Sequence, residues 1–304
     1  MGLTDINTKK GWLVNDTLTC IPGTKTFWHD LLDNVVGLED KCGGYTPFNV
    51  LPNKIVEYSR NEGSPDYIIR NASFFNPIRL NVPTISLLQD LGHGRMDVCN
   101  SSTVVVFNSP YTKAHYPNIQ TRTETIPLGV DFNFFKPTES YQEELSILDN
   151  SILFIGSATN HPKGFNVVMD LINNTDYNFC LVMKDDFQID HPRVKVFNKI
   201  GHDTLLKVIN SCSMLICTST VETQHLSGLE AAACDLPLVV TNVGVYYDKT
   251  DGKWGVKVLD GDFVSKIEYV MSNKGSFSPR KFFLERGYDK KDCMDKWKEL
   301  VASL

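Results

Sequence analysis

Short apolar runs ending in polar residues recur along the whole chain. Asp66-Tyr-Ile-Ile-Arg70, Thr84-Ile-Ser-Leu-Leu88 and Thr103-Val-Val-Val-Phe107 are three of them; Ile152-Leu-Phe-Ile-Gly156, Phe179-Cys-Leu-Val-Met183 and Met214-Leu-Ile-Cys-Thr218 are three more. Runs this short, apolar without alternation, suit strands buried on both faces, and such strands occur in parallel sheets covered by helices. Gly11-Trp-Leu-Val-Asn15 and Val194 to Phe197 read the same way. Between the runs lie segments of helical composition: Phe27 to Val36, Phe165 to Asn173, Asp203 to Ser211 and Leu226 to Cys234. Strand and helix in alternation predict an α/β protein with parallel sheets.

A chain of 304 residues, 42% hydrophobic, can fill two cores of ordinary size. Thr125-Ile-Pro127-Leu-Gly129-Val-Asp131, followed by a polar stretch from Thr138 to Asn150, reads as the boundary between them. The expected division is 1–130, 131–285 and a C-terminal segment 286–304, whose Tyr288, Cys293, Trp297 and Leu300 make an amphipathic pattern.

In an open α/β sheet, ligands bind outside the carboxyl ends of the strands. Candidate site residues are therefore the polar tips: Arg70 and Asn71, Gln89 and Asp90 with His93, Asn108 and Ser109, the loop around Gly23, and Gly156 to Lys163-Gly164. The richest tip follows Met214 to Thr218. There Glu222 and Glu230 flank seven residues, Thr-Gln-His225-Leu226-Ser227-Gly-Leu, before Ala231-Ala-Ala233. With a helix starting near Leu226, Glu222 lies in the loop and Glu230 about one turn inside. The free N–H groups and positive end of that helix suit an anion such as a phosphate. Two carboxylate acceptors beside an anion pocket suit a phosphorylated, hydroxyl-rich ligand.

The net charge of −6 and pI near 5.7 argue against a nucleic-acid footprint, and neither half of the chain is basic. Neither a signal peptide nor an apolar span of membrane length is visible, so a cytoplasmic protein is expected. The eight cysteines form no C-x-x-C pair and no zinc spacing, and are expected to be reduced.

The Glu222-x7-Glu230 pattern, with its Pro237-led strand ending in Thr241-Asn-Val-Gly244, resembles the signature of the retaining GT-B-type glycosyltransferases of group 1. Pro127-Leu-Gly129-Val-Asp131 and Lys163-Gly164 match two further parts of that family's pattern. The resemblance implies two Rossmann-like doubly wound parallel-sheet domains facing a cleft, the N-terminal one reduced, with the C-terminal helix packing back on the first. The second domain would hold a nucleotide-diphosphate-sugar donor and the first an unidentified glycan, lipid-linked or protein acceptor. By the same resemblance, Glu222 sits near the transferred sugar and Glu230 accepts from the ribose hydroxyls. Lys163, Gly156, and the backbone at Leu226 and Ser227 face the diphosphate, Gly23 belongs to a loop near the donor phosphates, and the backbone from Val196 to His202 surrounds the base.

Two departures stand out. The family's His-Asp pair aligns with Gln89-Asp90, leaving His93 and His225 as further candidates, and the arginine expected after the strand is replaced by Ser157 or Ala158. The reading is a hexosyltransferase-like retaining enzyme that needs no metal and no cofactor beyond the donor itself. Three alternatives stay open: a metal-dependent transferase using Asp260-Gly-Asp262, which by context reads as a turn; an epimerase or phosphorylase of the same architecture; and a nucleotide-sugar-binding subunit without turnover.

Overall fold

The apolar runs pair into two six-stranded sheets, every neighbouring pair parallel. In this computed structural model the described residues are 11–15, 35–37, 60–61, 63–71, 80–89, 91 and 96–304. The first sheet holds β1 (Gly11–Asn15), β2 (Val35–Gly37), β3 (Tyr67–Asn71), β4 (Thr84–Leu88), β5 (Val104–Phe107) and β6 (Arg122–Thr125), in the order β2-β1-β3-β4-β5-β6. Of its helices, α1 (Met96–Asn100) and α2 (Pro110–Ala114) are described. Ser109 caps α2, its Oγ accepting from the Thr112 N–H at 3.1 Å, and Pro110 stands where a helix needs no N–H.

The second sheet holds β7 (Ile152–Gly156), β8 (Phe179–Met183), β9 (Val194–Asn198), β10 (Met214–Cys217), β11 (Leu238–Thr241) and β12 (Gly255–Val258), in the order β12-β11-β10-β7-β8-β9. Its helices are α3 (Gln142–Leu145), α4 (Phe165–Asn174), α5 (His202–Asn210), α6 (Leu226–Ala233), α7 (Phe263–Ser272) and α8 (Pro279–Leu284); α9 (Lys290–Ala302) ends the chain. The strands bury Phe154, Leu181 and Ile216 in one core with Val168 and Ile172 of α4 and Ile267 and Val270 of α7. Periodicity of the helical kind therefore meets continuous apolar strands, which is the physical content of an α/β layer.

Both orders are doubly wound. In the second, β8 and β9 extend from β7 to one side, while β10, β11 and β12 extend to the other. The winding reverses between β7 and β10, where Ile152 pairs with Met214 and Phe154 with Ile216. Such a reversal opens a crevice at the carboxyl ends of the two strands. In the first sheet the reversal falls between β1 and β3.

The chain divides into two compact units, Met1–Leu128 with Asp292–Leu304, and Gly129–Lys291. Two local expectations are corrected. Val35 and Val36 belong to a strand, paired with Gly11 and Trp12, and not to the end of a helix beginning at Phe27; β-branched side chains favour the pleated surface over the crowded helix turn. The final helix starts at Lys290, because Gly287 adopts φ +68° and the Asp289 carboxylate accepts from the Lys291 N–H at 3.1 Å, turning the backbone between α8 and α9.

All six described cysteines are free thiols, and Cys20 and Cys42 lie outside the described residues. Among the described residues no helix is long and apolar enough to cross a membrane.

Candidate functional site

The loops leaving β7 and β10 meet over the crevice of the second sheet. After β7 the chain makes a short 3-10 turn, His161–Lys163, and passes through Gly164 into α4. Gly164 has φ +66°, and a Cβ there would come within 2.1 Å of the Thr218 carbonyl oxygen. Only glycine combines that left-handed backbone with that approach. Two bonds clamp the loops together: the Thr218 hydroxyl donates to the Lys163 carbonyl at 2.9 Å, and the Thr220 N–H donates to the Pro162 carbonyl at 2.9 Å.

The clamp sets Lys163 against Glu222. Its Nζ forms an ion pair with Glu222 Oε1, which also accepts from the Ser219 hydroxyl at 3.0 Å. Glu222 is mostly covered, with 13% of its side chain exposed, so this carboxylate is held and not a free surface charge. Two residues singled out in the sequence for one site thus touch.

Glu222 leads into α6 through Gln224 and His225. His225 takes φ +70° and ψ +64°, and no side chain caps the helix that follows. The N–H groups of the first turn, at Leu226 and Ser227, are left for a ligand or solvent. Glu230 lies one turn in. Its carboxylate is partly buried and makes no hydrogen bond to the described residues; burial raises its pKa, while His202 and His225 pull it down. A desolvated carboxylate without donors is an acceptor awaiting hydroxyl groups.

The loop after β7 behaves differently. Ser157, in the place of the expected arginine, donates its hydroxyl to Asp185 Oδ2, which also takes the Thr159 N–H at 3.3 Å and the Thr159 hydroxyl at 3.2 Å. The Asn160 N–H returns to Ser157 Oγ at 3.1 Å. The Ser157 hydroxyl, followed by the other donors, holds the Asp185 carboxyl below its ordinary range. Gly156 has a packing reason of its own, since a Cβ there would meet the Phe154 ring at 2.4 Å. Asp185 went unread in the sequence, although it stands just past the end of β8, the strand beside β7, where tip residues are candidates.

Gln89 follows β4 in the first unit, and its Nε2 is buried with no hydrogen-bond partner among the described residues. Gly23, Asp90 and His93 lie outside the described residues. Asp260 and Asp262 form a turn: Asp260 accepts the Asp262 N–H at 3.1 Å, and Asp262 caps α7 by accepting from Ser265 N at 3.1 Å.

These features agree with what the chain resembles. Residues 149–273 match the family Glycosyl transferases group 1. An uncharacterized glycosyltransferase of Methanocaldococcus jannaschii is 25% identical over 135 residues, 40% of this chain and 38% of that relative's length. Among solved structures, Anabaena HepE in complex with UDP-glucose superposes with a TM-score of 0.75 at 16% identity, covering 97% of this chain and 100% of that one. Sucrose-phosphate synthase from Thermosynechococcus elongatus gives 0.71 at 15%, covering 88% and 82%. Likeness at that identity carries the fold, and the fold is that of the GT-B glycosyltransferases. Within the group 1 segment lie Gly156, Lys163, Asp185, Glu222, His225, Leu226, Ser227 and Glu230.

Proposed function

We propose that the protein is a retaining glycosyltransferase that takes a nucleotide-diphosphate-sugar donor in its second unit and transfers a hexose-like sugar to a hydroxyl acceptor. The observation that carries this reading is the meeting of Lys163 and Glu222 over the switch point, directly before the uncapped first turn of α6. The diphosphate occupies the N–H groups of that turn with Lys163 beside it. Glu230 accepts from the ribose hydroxyls, which suits its unfilled acceptor capacity. Glu222 orients the transferred sugar, with Lys163 shared between sugar and diphosphate.

In the reaction the bond from the sugar's anomeric carbon to the phosphate oxygen breaks, and its electron pair leaves with the diphosphate. The acceptor oxygen forms the new bond on the same face and gives up its proton, which the departing phosphate accepts. Charge on the leaving group is met by Lys163 and the α6 N–H groups, fixed before reaction, and that is electrostatic catalysis by preorganised donors. By the family resemblance, Gln89 and Asp90 stand where that family's His-Asp pair does. The reading requires no metal and no further cofactor.

A second reading, a nucleotide-sugar-binding subunit without turnover, is favoured by Ser157: where an arginine would face the diphosphate, the hydroxyl is engaged by Asp185. Incubation of the full chain with a panel of nucleotide sugars, UDP-glucose first because HepE was solved with it, with and without EDTA, separates the two. Release of nucleoside diphosphate that persists in EDTA supports the transferase, and an unchanged anomeric configuration in the product, read by NMR, supports retention. Binding without release moves the assignment to the subunit. Loss of release in EDTA removes metal independence.

A further inference from the structure

His225 carries two burdens at once. Its backbone is left-handed at φ +70°, a region any Cβ disfavours, and its imidazole is buried at 6% exposure. Glycine at this position would remove both. Strain of this kind is found where surrounding structure enforces it, and it points from geometry towards function.

The surroundings are built for the ring. Tyr246 Oη lies 3.0 Å from His225 Nδ1, and the Cys217 thiol at the end of β10 is within hydrogen-bonding reach of the same ring. Tyr246 is itself fixed, stacked on Trp254 with centroids 5.2 Å apart and met edge-on by Phe283. Gly228, in the first turn of α6, has no room for a side chain: a Cβ would fall 2.4 Å from His225 Nδ1 and 2.1 Å from Tyr246 Oη. The helix turn that faces the donor therefore rests on the imidazole.

We propose that His225 is a positioning residue for the nucleoside diphosphate: its ring, clamped between Cys217 and Tyr246, seats the first turn of α6 and places a titratable positive charge beneath the anion held there. This rests on the donor reading of the second unit. The groups that face the ring are Cys217 from β10, Tyr246 from the turn after β11, Glu222 and Lys163 from the loops above, and Glu230 from α6. Burial and, less strongly, the Lys163 ammonium oppose the charged ring, but the Cys217 sulfur and Glu222 outweigh them and hold His225 above its ordinary pKa. An added diphosphate acts in the same direction as Cys217 and Glu222. Binding therefore takes up a proton, and the ring's contribution is full below its pKa and fades as pH rises through it.

The test is calorimetric titration of the full chain with UDP from about pH 5.5 to about 8.5, spanning the ordinary imidazole range, in two buffers of different ionisation enthalpy. The terminal phosphate of UDP also protonates near pH 6, so the quantity read is the ratio of wild-type to variant affinity. The variants are His225→Gly and His225→Asn, both tolerant of left-handed backbone, and Cys217→Ser, which keeps the packing and exchanges the titratable sulfur for a hydroxyl that stays neutral. The ratio for His225→Gly is expected to reach about tenfold at the acid end, the worth of one pKa unit of coupling, to shrink at the alkaline end, and to be accompanied by loss of proton uptake. Cys217→Ser should move the midpoint to lower pH. A ratio that stays flat across the pH range overturns the proposal, and so does a Cys217→Ser midpoint that does not move, which stands as the test if neither His225 variant folds. Absence of UDP binding by the wild type at every pH overturns the donor reading, and the role of His225 with it.

Discussion

Two loops leave the same crevice, and they have disposed of their polar groups in opposite ways. The loop after β7 closes on itself: Ser157, Thr159 and Asn160 all bond within a network centred on Asp185. The loop after β10 stays open, with an uncapped helix start and a Glu230 carboxylate that takes no hydrogen bond among the described residues. Closed polar networks fix a shape, whereas unsatisfied, partly desolvated groups cost stability unless a ligand completes them. On the proposed donor reading, one loop is scaffold and the other recognition. Lys163 is the point of exchange, carried by the first loop and bonded to the second.

The severest way to break the comparison is at the joint. Gly164→Ala introduces a Cβ at a left-handed position, 2.1 Å from the Thr218 carbonyl oxygen. Left-handed backbone and a clash with main chain should together cost about 3 kcal/mol of stability. Urea denaturation measures it. A loss below about 1 kcal/mol, the ordinary size of a point change, would mean that the two loops are not locked to one another.

The exchange point comes next. Lys163→Ala should weaken UDP binding by roughly 1.5–3 kcal/mol, or about 10- to 150-fold, the range of a charge-assisted contact to phosphate. Unchanged affinity would leave Lys163 as Glu222's partner alone. Glu230→Gln sharpens the same point from the open side. UDP affinity should fall by about tenfold, the lower end of that range, since the amide still accepts. The unliganded protein should become more stable at neutral pH. The sign follows from burial: the folded state raises the Glu230 pKa, so its ionised form is disfavoured above that pKa and stability rises as pH falls through it. A glutamine removes the charge and that pH dependence together. A variant both less stable and unchanged in affinity would make Glu230 a structural residue.

Much of this was legible beforehand, for identifiable reasons. Strands such as Thr84–Leu88 and Phe179–Met183 were readable because a strand buried on both faces needs an unbroken apolar run. The Glu222 to Glu230 spacing was readable because a strand, a loop and a helix start in sequence define where both carboxylates stand. Val35 and Val36 were not, since their helical-looking spacing is overridden by pairing with Gly11 and Trp12, and that partner strand lies 24 residues earlier in the chain. The Asp185 network also stayed hidden, because Ser157 and Asp185 approach only once β7 and β8 pair side by side. At Gly156 the structure adds a packing reason that a single sequence does not show: a Cβ there would meet the Phe154 ring, which strand alternation places on the same face.

The gentlest test acts on the closed loop. Asp185→Asn keeps the shape of the acceptor but removes its charge, so Ser157 and Thr159 retain a partner while the negative potential at the end of β8 disappears. Asp185 is exposed enough that solvent screens it, and the effect on UDP affinity should be a gain of only a few-fold at low salt that vanishes at high salt. The pH signature is separate. Because the Ser157 hydroxyl lowers the folded pKa of Asp185, its contribution to stability is present above the unfolded value and is lost as pH falls through the folded one. The variant should therefore lose slightly less stability on acidification than the wild type, as urea midpoints at neutral and acid pH will show. A sharp drop in UDP affinity on this substitution would reverse the comparison, since the loop treated as scaffold would then be holding the donor.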